Sequence, residues 1–149
     1  MFRFKLEFLL RYRRQKEELA MFELAERVRK ANEIENYILD LQERAEELVA
    51  SVRGLDGNII PSSKFTMYSE HREYLREEEK RTRHYLLQAE AAVEQQRQKL
   101  VEISVQRKII ERYKEKQKAD YDKTAAGLEQ KNLDELAALA AVRKTHEAS

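Results

Sequence analysis

The sequence predicts an all-α protein: two long helices forming an antiparallel coiled-coil hairpin, with the second helix longer and overhanging. The only proline and two of the three glycines fall within residues 54–63. Apolar residues on both sides recur at alternating spacings of three and four, as in coiled coils. Charged residues make up 38% of the chain and aromatic residues 8%, which suits long solvated helices better than a thick core. We expect one coiled-coil domain over residues 1–149, with helix 1 at about 3–55, a turn at about 56–62 and helix 2 at about 63–145.

The first helix is predicted from a heptad stripe in its second half, which continues less regularly upstream. Glu7 with Arg11, and Glu23 with Arg27, have the i,i+4 spacing of supporting ion pairs. The regular stripe consists of Ile34, Ile38, Leu41, Ala45, Leu48, Val52 and Leu55, and the upstream stripe of Leu6, Leu10, Ala20, Leu24, Val28 and Ala31.

The segment between the helices carries the residues that end a helix and start a new one. Pro61 fixes φ and has no amide donor, and glycine lowers helix stability. Ser62 or Ser63 can cap the helix that follows. Gly127 stands alone in a charged helical pattern and is not expected to end the second helix.

The second helix carries a thinner and more polar stripe. We interpret its polar members as slots of the seam, and Gln96 in particular as a residue that fixes the register of the two helices at some loss of stability. The apolar positions are Leu75, Leu86, Ala89, Val93, Leu100, Ile103 and Ile110, and the polar ones are Glu79, Thr82, Gln96 and Arg107.

A reversal near residue 59 pairs each position of the first helix with a predictable partner. Leu6 is expected near Arg112, and Leu41 near residues 77–79. Residues from about Tyr113 onward then have no opposite number, which leaves about 30 residues, or about 45 Å of helix, unpaired. We expect an unpaired amphipathic helix of this kind to bind a second protein.

Composition argues against several functional classes. The 29 basic and 28 acidic residues are interspersed, so no field of one sign attracts nucleic acid or anionic lipid. Cysteine is absent, the three histidines are far apart, and the glycine-bearing segment has no phosphate-binding pattern. We therefore expect no enzyme activity, no cofactor and no metal. The longest apolar run, Leu136–Val142, is far below the roughly 20 residues that span a bilayer, and Arg3, Lys5 and Glu7 interrupt any signal-peptide core, so we expect a cytoplasmic protein.

Two clusters leave alternatives open. Arg11–Arg14 mixes arginines with a tyrosine, which is compatible with RNA contact, although Glu17 and Glu18 follow and favour a solvated or protein-binding face. A group of aromatics near the turn either packs along the seam or anchors a protein interface. This group consists of Tyr37, Phe65, Tyr68, Tyr74 and Tyr85.

Both ends of the chain resemble a known family. The segment Phe4–Arg13 reads Phe-Lys-Leu-Glu-Phe-Leu-Leu-Arg-Tyr-Arg, and Lys131–Glu135 reads Lys-Asn-Leu-Asp-Glu. These motifs, at this separation, resemble the FliJ family of flagellar type III export proteins over nearly the whole chain. The resemblance implies a non-enzymatic coiled coil, similar to the stalk of rotary ATPases, that enters the hexameric export ATPase.

The resemblance also implies which residues meet which partner. In this reading, the end of the hairpin that carries both chain termini would contact the ATPase ring. The end that carries the turn would contact the cytoplasmic domain of the membrane export gate. The chain would then lie at the cytoplasmic face of the membrane through its protein partners. Export chaperones are further implied partners. The ring-contact residues are Leu6, Leu9, Leu10, Arg13, Leu133, Asp134 and Glu135; the gate-contact residues, chosen by their position near the turn, are Tyr37, Leu41, Leu48, Tyr68, His71 and Leu75. A generic coiled-coil scaffold or chaperone that self-associates through the overhang is the alternative reading.

Overall fold

Two helices make up nearly all of the described chain. The structure, a computed structural model, describes residues 1–54 and 60–149. Helix α1 spans Glu7–Arg53 and helix α2 spans Ser62–Glu147, with lengths of 47 and 86 residues. The two helices pack against each other, and no strand occurs in the described ranges. The predicted all-α fold with a longer second helix is confirmed.

The contacts of the chain divide it into two compact units. Unit 1 consists of Met1–Lys16 and Ile103–Ser149, and unit 2 of Glu17–Glu102. Each unit therefore contains one segment of α1 and one of α2. The expectation of a single domain over residues 1–149 stays a prediction.

Unit 2 holds the regular seam. Ile38, Leu41, Leu75 and Val93 are buried at heptad positions, because the alternating three and four spacing keeps them on the side that faces the partner helix. The amide of Gln42 donates to the Glu79 carboxylate at 3.1 Å, which agrees with the partner predicted for Leu41. The helices run in opposite directions, since Gln96, further along α2, reaches back to Ala20 near the start of α1.

Unit 1 begins with a segment that is not helical. Residues 1–4 are not helical, the Phe4 carbonyl accepts a turn hydrogen bond from the Glu7 amide at 3.3 Å, and α1 starts at Glu7 instead of near residue 3. The Phe2 ring packs on Tyr121 at 5.6 Å between centroids, and the Phe4 ring packs on Tyr113 at 6.0 Å. An extended chain covers about 3.3 Å per residue against 1.5 Å in a helix, so this segment reaches further along α2 than a helix would.

The predicted boundary of the overhang is therefore wrong. Tyr113, expected to be the first unpaired residue, contacts the Phe4 ring, and contacts of the N-terminal segment continue to Tyr121. Every residue from Lys118 to Ser149 is nevertheless exposed. We call residues 122–149 the C-terminal arm. The arm is helical through Gly127 as far as Glu147, so the lone glycine does not end α2.

The start of α2 differs in detail from the prediction. The amides of Lys64 and Phe65 donate to the Pro61 carbonyl at 3.0 and 3.1 Å, so Pro61 accepts the first helical bonds and Ser62 is already the first helical residue. The predicted cap at Ser62 or Ser63 is therefore wrong: the capping position falls on Pro61, one residue before Ser62. The predicted turn falls largely on residues 55–59, which lie outside the described residues, as does the last seam position, Leu55.

Candidate functional site

The N-terminal ring-contact residues, which lie in unit 1, differ in their exposure to solvent. Leu10 is fully buried in the seam, Leu9 is half-buried, and Leu6 is 37% exposed. Arg13 bridges the helices, because its Nη1 donates to Gln106 Oε1 at 2.6 Å. Leu6 and Leu9 are thus the accessible apolar members of this group, whereas Leu10 can meet a partner only where the helices separate.

Charge pairs tie the same region of unit 1 together. Lys114 Nζ donates to Glu7 Oε2 at 2.7 Å and lies 5.8 Å from the centroid of the Phe4 ring, within the range of a cation–π contact. The hydrogen bond from Lys114 lowers the pKa of Glu7, with desolvation acting in the opposite direction. Sequence spacing predicted Arg11 as the partner of Glu7; the observed bond instead joins the two helices.

The basic cluster Arg11–Arg14 is partly engaged within the protein. Arg13 is bonded to Gln106, and its Nε is buried without a hydrogen-bond partner in the described structure. Arg14 Nη2 lies 3.2 Å from Glu111 Oε1. Two of the three arginines that motivated the RNA alternative thus contribute to helix–helix contacts, which weakens that reading.

The C-terminal arm presents uncovered apolar side chains. Gln130 donates to Asp134 Oδ1 at 3.0 Å along the helix, and Lys131 and Glu135 are exposed beside them. The large apolar side chains of the arm are all more than half exposed to solvent: Leu128, Leu133, Leu136, Leu139 and Val142. An arm that buries none of its leucines has surface available for another molecule.

The two halves of the ring-contact set do not meet. Glu7 pairs with Lys114, and Leu133 lies 19 residues further along α2, a rise of about 28 Å. Leu6, Leu9 and Arg13 therefore lie at one level of unit 1, and residues 133–135 at another. A partner that contacts both halves must span that distance.

The gate-contact residues all belong to unit 2 but differ in exposure. Leu41 and Leu75 are buried at 1% and 3% exposure, so in this structure they pack between the two helices. Leu48 and Tyr68 are half-buried, and Tyr37 and His71 are exposed. The predicted contacts to the gate remain a prediction for all six.

The aromatic group near the turn is mostly exposed. Four of its five members, Tyr37, Phe65, Tyr74 and Tyr85, are exposed, and Tyr68 is half-buried. The Tyr37 hydroxyl donates to Glu78 Oε1 at 3.3 Å, and desolvation followed by the Glu78 charge raises the pKa of Tyr37. Of the two readings left open by the sequence, the exposed interface is the one that the positions favour.

A buried polar layer confirms the interpretation of Gln96 as a seam residue. Gln96 is 1% exposed, and its Nε2 donates to the Ala20 carbonyl and to Glu23 Oε2, each at 3.2 Å. Arg27 crosses to the Ala92 carbonyl at 3.0 Å. Both Glu23 and Arg27, predicted as an intrahelical pair, thus bond across the seam instead, and their bonds specify one register.

The sequence interpretation missed the aromatic contacts of the N-terminal segment. Phe2 and Phe4 alternate with charged residues, a period of two that is typical of extended chain, and this was the available signal. Within the described ranges, no group of three or more His, Asp or Glu side chains could hold a metal ion. None of the described helices combines the length and apolar character that crossing a membrane requires.

A known protein family matches nearly the whole length of the chain. The family model described as flagellar FliJ protein matches residues 2–146. The chain belongs to this family. Searches of curated proteins and of solved structures return no match. FliJ proteins are components of the flagellar protein export apparatus, so this FliJ chain is one too.

The FliJ match includes both the N-terminal segment and the C-terminal arm. It begins at Phe2, inside the segment that packs on α2, and ends at His146, one residue before the last helical residue of the arm. The arm is therefore a FliJ feature and not an addition to a shorter family core.

Proposed function

We propose that this FliJ-family chain binds the hexameric flagellar export ATPase through unit 1 and stimulates it. The observation that carries the proposal is the C-terminal arm, in which every residue is exposed and five large apolar side chains have no cover within the described chain. Burying a leucine stabilises a complex by about 1.5–3 kcal/mol per side chain, so such a stripe supports binding to a protein.

Two levels of unit 1 would contact the ring. Leu133, Asp134 and Glu135 combine an exposed leucine with two carboxylates at the level of the arm. Leu6, Leu9 and Arg13 would form the other level, about 28–40 Å away along α2, since Glu7 pairs with Lys114 and Arg13 with Gln106. Leu10 would hold α1 in place beneath them, since it is fully buried.

A separate surface, in unit 2, would contact the cytoplasmic domain of the export gate. Tyr37, Tyr68 and His71 offer exposed or half-exposed rings, and tyrosine is enriched among residues that dominate binding energy. Leu48 adds apolar area, while Leu41 and Leu75 would support it from the seam.

The proposed mechanism is coupling between two bound partners. A chain that contacts ATPase subunits better in one conformation than in another shifts the subunits toward that conformation. If binding to the ATPase changes the affinity of the chain for the gate, binding to the gate must change its affinity for the ATPase by the same factor. The chain would act at the cytoplasmic face of the membrane, support assembly of the flagellum and hence motility, and present exposed helix for recycling export chaperones.

Truncation tests the ring contact. Ending the chain after Lys123 removes the leucines of the arm but keeps Tyr113 and Tyr121, on which the N-terminal segment packs. We expect this variant to lose stimulation of the cognate export ATPase in a phosphate-release assay while its α1–α2 contacts stay folded by circular dichroism. Leu133→Ala combined with Leu136→Ala should weaken stimulation, whereas Leu87→Ala, equally exposed in unit 2, should not. Full stimulation by the truncated chain would refute the proposal.

Self-association is the second candidate function, because the same exposed leucines could pair with those of another copy. Sedimentation of the chain alone distinguishes the two. A stable dimer that the truncation after Lys123 converts to a monomer would favour the scaffold, and a monomer that co-sediments with the ATPase hexamer favours the stalk.

A further inference from the structure

A groove in unit 2, between the end of α1 and the start of α2, combines apolar side chains with two arginines that no contact discussed above uses. Its volume is about 340 Å³. Of its lining, Phe65 is 65% exposed and Val49 43% exposed, so apolar surface lies open to solvent there. We call this the arginine groove. The described residues that line it are Leu48, Val49, Val52, Arg53, Ile60, Phe65, Tyr68, Ser69 and Arg72.

Two unpaired arginines define the charge of the arginine groove. Arg53 and Arg72 line it, and the described lining has no carboxylate. Neither arginine forms a hydrogen bond or ion pair with a described residue, whereas Arg29 and Arg83 in the same unit are each bonded to a carboxylate at 2.8 Å or less. Guanidinium groups beside an open apolar surface are suited to carboxylates, which they bind through two parallel N–H donors.

The adjoining groove strengthens the positive character. It shares Val49, Arg53 and Arg72 with the arginine groove and adds Arg76. Its carboxylates are Glu46 and Glu79, and Glu79 is already held by Arg83 and Gln42. The hydrogen bond from Arg83, followed by that from Gln42, lowers the pKa of Glu79, so this carboxylate is charged and occupied at neutral pH. Among the described residues, three arginines therefore face these two grooves against one carboxylate, Glu46, that no other described side chain holds.

Another groove in the same unit shows the opposite pattern. Val28, Ala31, Leu86 and Val93 supply its apolar lining, together with Asn32. Its charged lining residues are Glu35, Glu90, Glu94 and Arg97. An acidic ligand would be repelled there, so the two grooves form a matched pair for a test of charge.

We propose that the arginine groove binds an acidic, apolar peptide segment of a partner protein. Carboxylates of the segment would accept hydrogen bonds from Arg53 and Arg72, and an apolar side chain would cover Phe65 and Val49. The inference rests on the proposed function in one respect: the gate, which would contact Leu48 and Tyr68 at the same place, is the protein expected to carry the segment. The inference adds that the bound segment of the gate is negatively charged and that Arg53 and Arg72 bind its carboxylates.

The test uses the full chain and a synthetic fluorescein-labelled peptide with the sequence Glu-Asp-Leu-Glu-Glu-Leu-Leu-Asp-Glu. Fluorescence anisotropy should show binding that weakens as salt rises, because the arginines are partly solvated. Arg53→Gln and Arg72→Gln should each weaken binding about threefold, as expected for exposed ion pairs, and the double variant about tenfold. Arg97→Gln, the matched control beside the acidic groove, should leave binding unchanged.

Three other results would overturn the inference. Equal binding of a peptide with Lys in place of every acidic residue would show that charge is not read. A chain that sediments as a dimer and becomes monomeric with Arg72→Gln would make a second copy the occupant. Binding of phosphatidylglycerol vesicles, lost with the same substitution, in place of the peptide would make it a lipid surface. ATPase stimulation by the double variant is measured separately. Lost peptide binding with retained stimulation upholds both proposals, whereas normal peptide binding by the double variant overturns the inference about the arginine groove. The truncation after Lys123, which leaves the groove intact, tests the ring contact independently.

Discussion

Gln96→Glu tests the register of unit 2, because it changes one buried amide into a carboxyl of nearly the same shape. In the structure the Gln96 Nε2 donates to Glu23 Oε2 and to the Ala20 carbonyl, each at 3.2 Å. A carboxylate in that place would face two acceptors and donate to neither. The introduced group must therefore either remain charged beside Glu23 or take up a proton.

Both routes have similar costs. Two charges about 4 Å apart at an effective dielectric constant of 20 repel by about 4 kcal/mol. Protonating a carboxyl of ordinary pKa, about 4.3, at pH 7 costs about 3.7 kcal/mol, since each pH unit is 1.36 kcal/mol. We therefore expect Gln96→Glu to lower the free energy of unfolding by about 3–4 kcal/mol at pH 7.

The sign of the pH dependence follows from the same geometry. The folded state raises the pKa of the introduced carboxyl, so the stability lost at pH 7 is regained as pH falls toward its ordinary pKa, by about 1.4 kcal/mol per unit. Urea unfolding followed by circular dichroism at pH 7, 5.5 and 4.5 measures it against the parent chain. Gln96→Leu, which has no charge, is the control and should differ from the parent by an amount independent of pH. A loss below about 1 kcal/mol at pH 7, or no recovery in acid, would show that Gln96 does not face Glu23.

Three further predictions concern single contacts. Leu41→Ala, at 1% exposure, should lower the free energy of unfolding by about 2–4 kcal/mol in urea, whereas Leu39→Ala, at 57% exposure on the same helix, should change it by less than about 0.5 kcal/mol; equal effects would contradict the seam. Lys114→Gln removes the bond that lowers the pKa of Glu7, so the Glu7 pKa should rise in a carbon-detected NMR titration. In the parent chain this bond stabilises the fold above the ordinary pKa of Glu, and the stabilisation is lost as pH falls through the lowered pKa. An unchanged Glu7 pKa in the variant would mean that the bond is absent. Gly127→Ala meets no atom within 4 Å of the added Cβ, so it should stabilise the helix of the arm by about 1 kcal/mol, seen as slower amide exchange there, and faster exchange would argue against a continuous helix.

The seam was predictable because it depends on local periodicity. Apolar spacing of three and four identified Leu41 and Leu75, and it also placed Thr82 and Gln96 in polar slots that the structure buries at 5% and 1% exposure. Thr82 is tolerated there since its hydroxyl donates to the Glu78 carbonyl one turn back. No long-range information was needed for these positions.

Contacts across the seam were less predictable. Spacing alone assigns Glu7 to Arg11 and Glu23 to Arg27, but the observed partners are Lys114 and Gln96 on the other helix. A carboxylate beside the seam has candidates on both helices, and the choice depends on distances that spacing does not contain. The Glu79–Arg83 pair, by contrast, forms within α2 at the i,i+4 spacing.

The N-terminal segment and the arginine groove illustrate two other limits. The alternation of Phe2 and Phe4 fits extended chain, yet it competes with the helical pattern that follows, and packing on Tyr113 and Tyr121 decides the outcome. Arg72 is one of many arginines in a mixed-charge helix. That it has no carboxylate partner among residues 1–54 and 60–149 is visible only once the neighbouring side chains are placed.

Solvent access to the C-terminal arm, without and with the export ATPase, is the most direct test of the account. The chain has no cysteine, so Leu133→Cys introduces a single thiol at a position that is 54% exposed. We predict rapid maleimide labelling of the chain alone and at least about tenfold slower labelling with the ATPase hexamer in excess, because the arm would be covered by the ring. Slow labelling of the chain alone, or equal rates with and without the hexamer, would contradict the claim that this arm is free and serves as the ring contact.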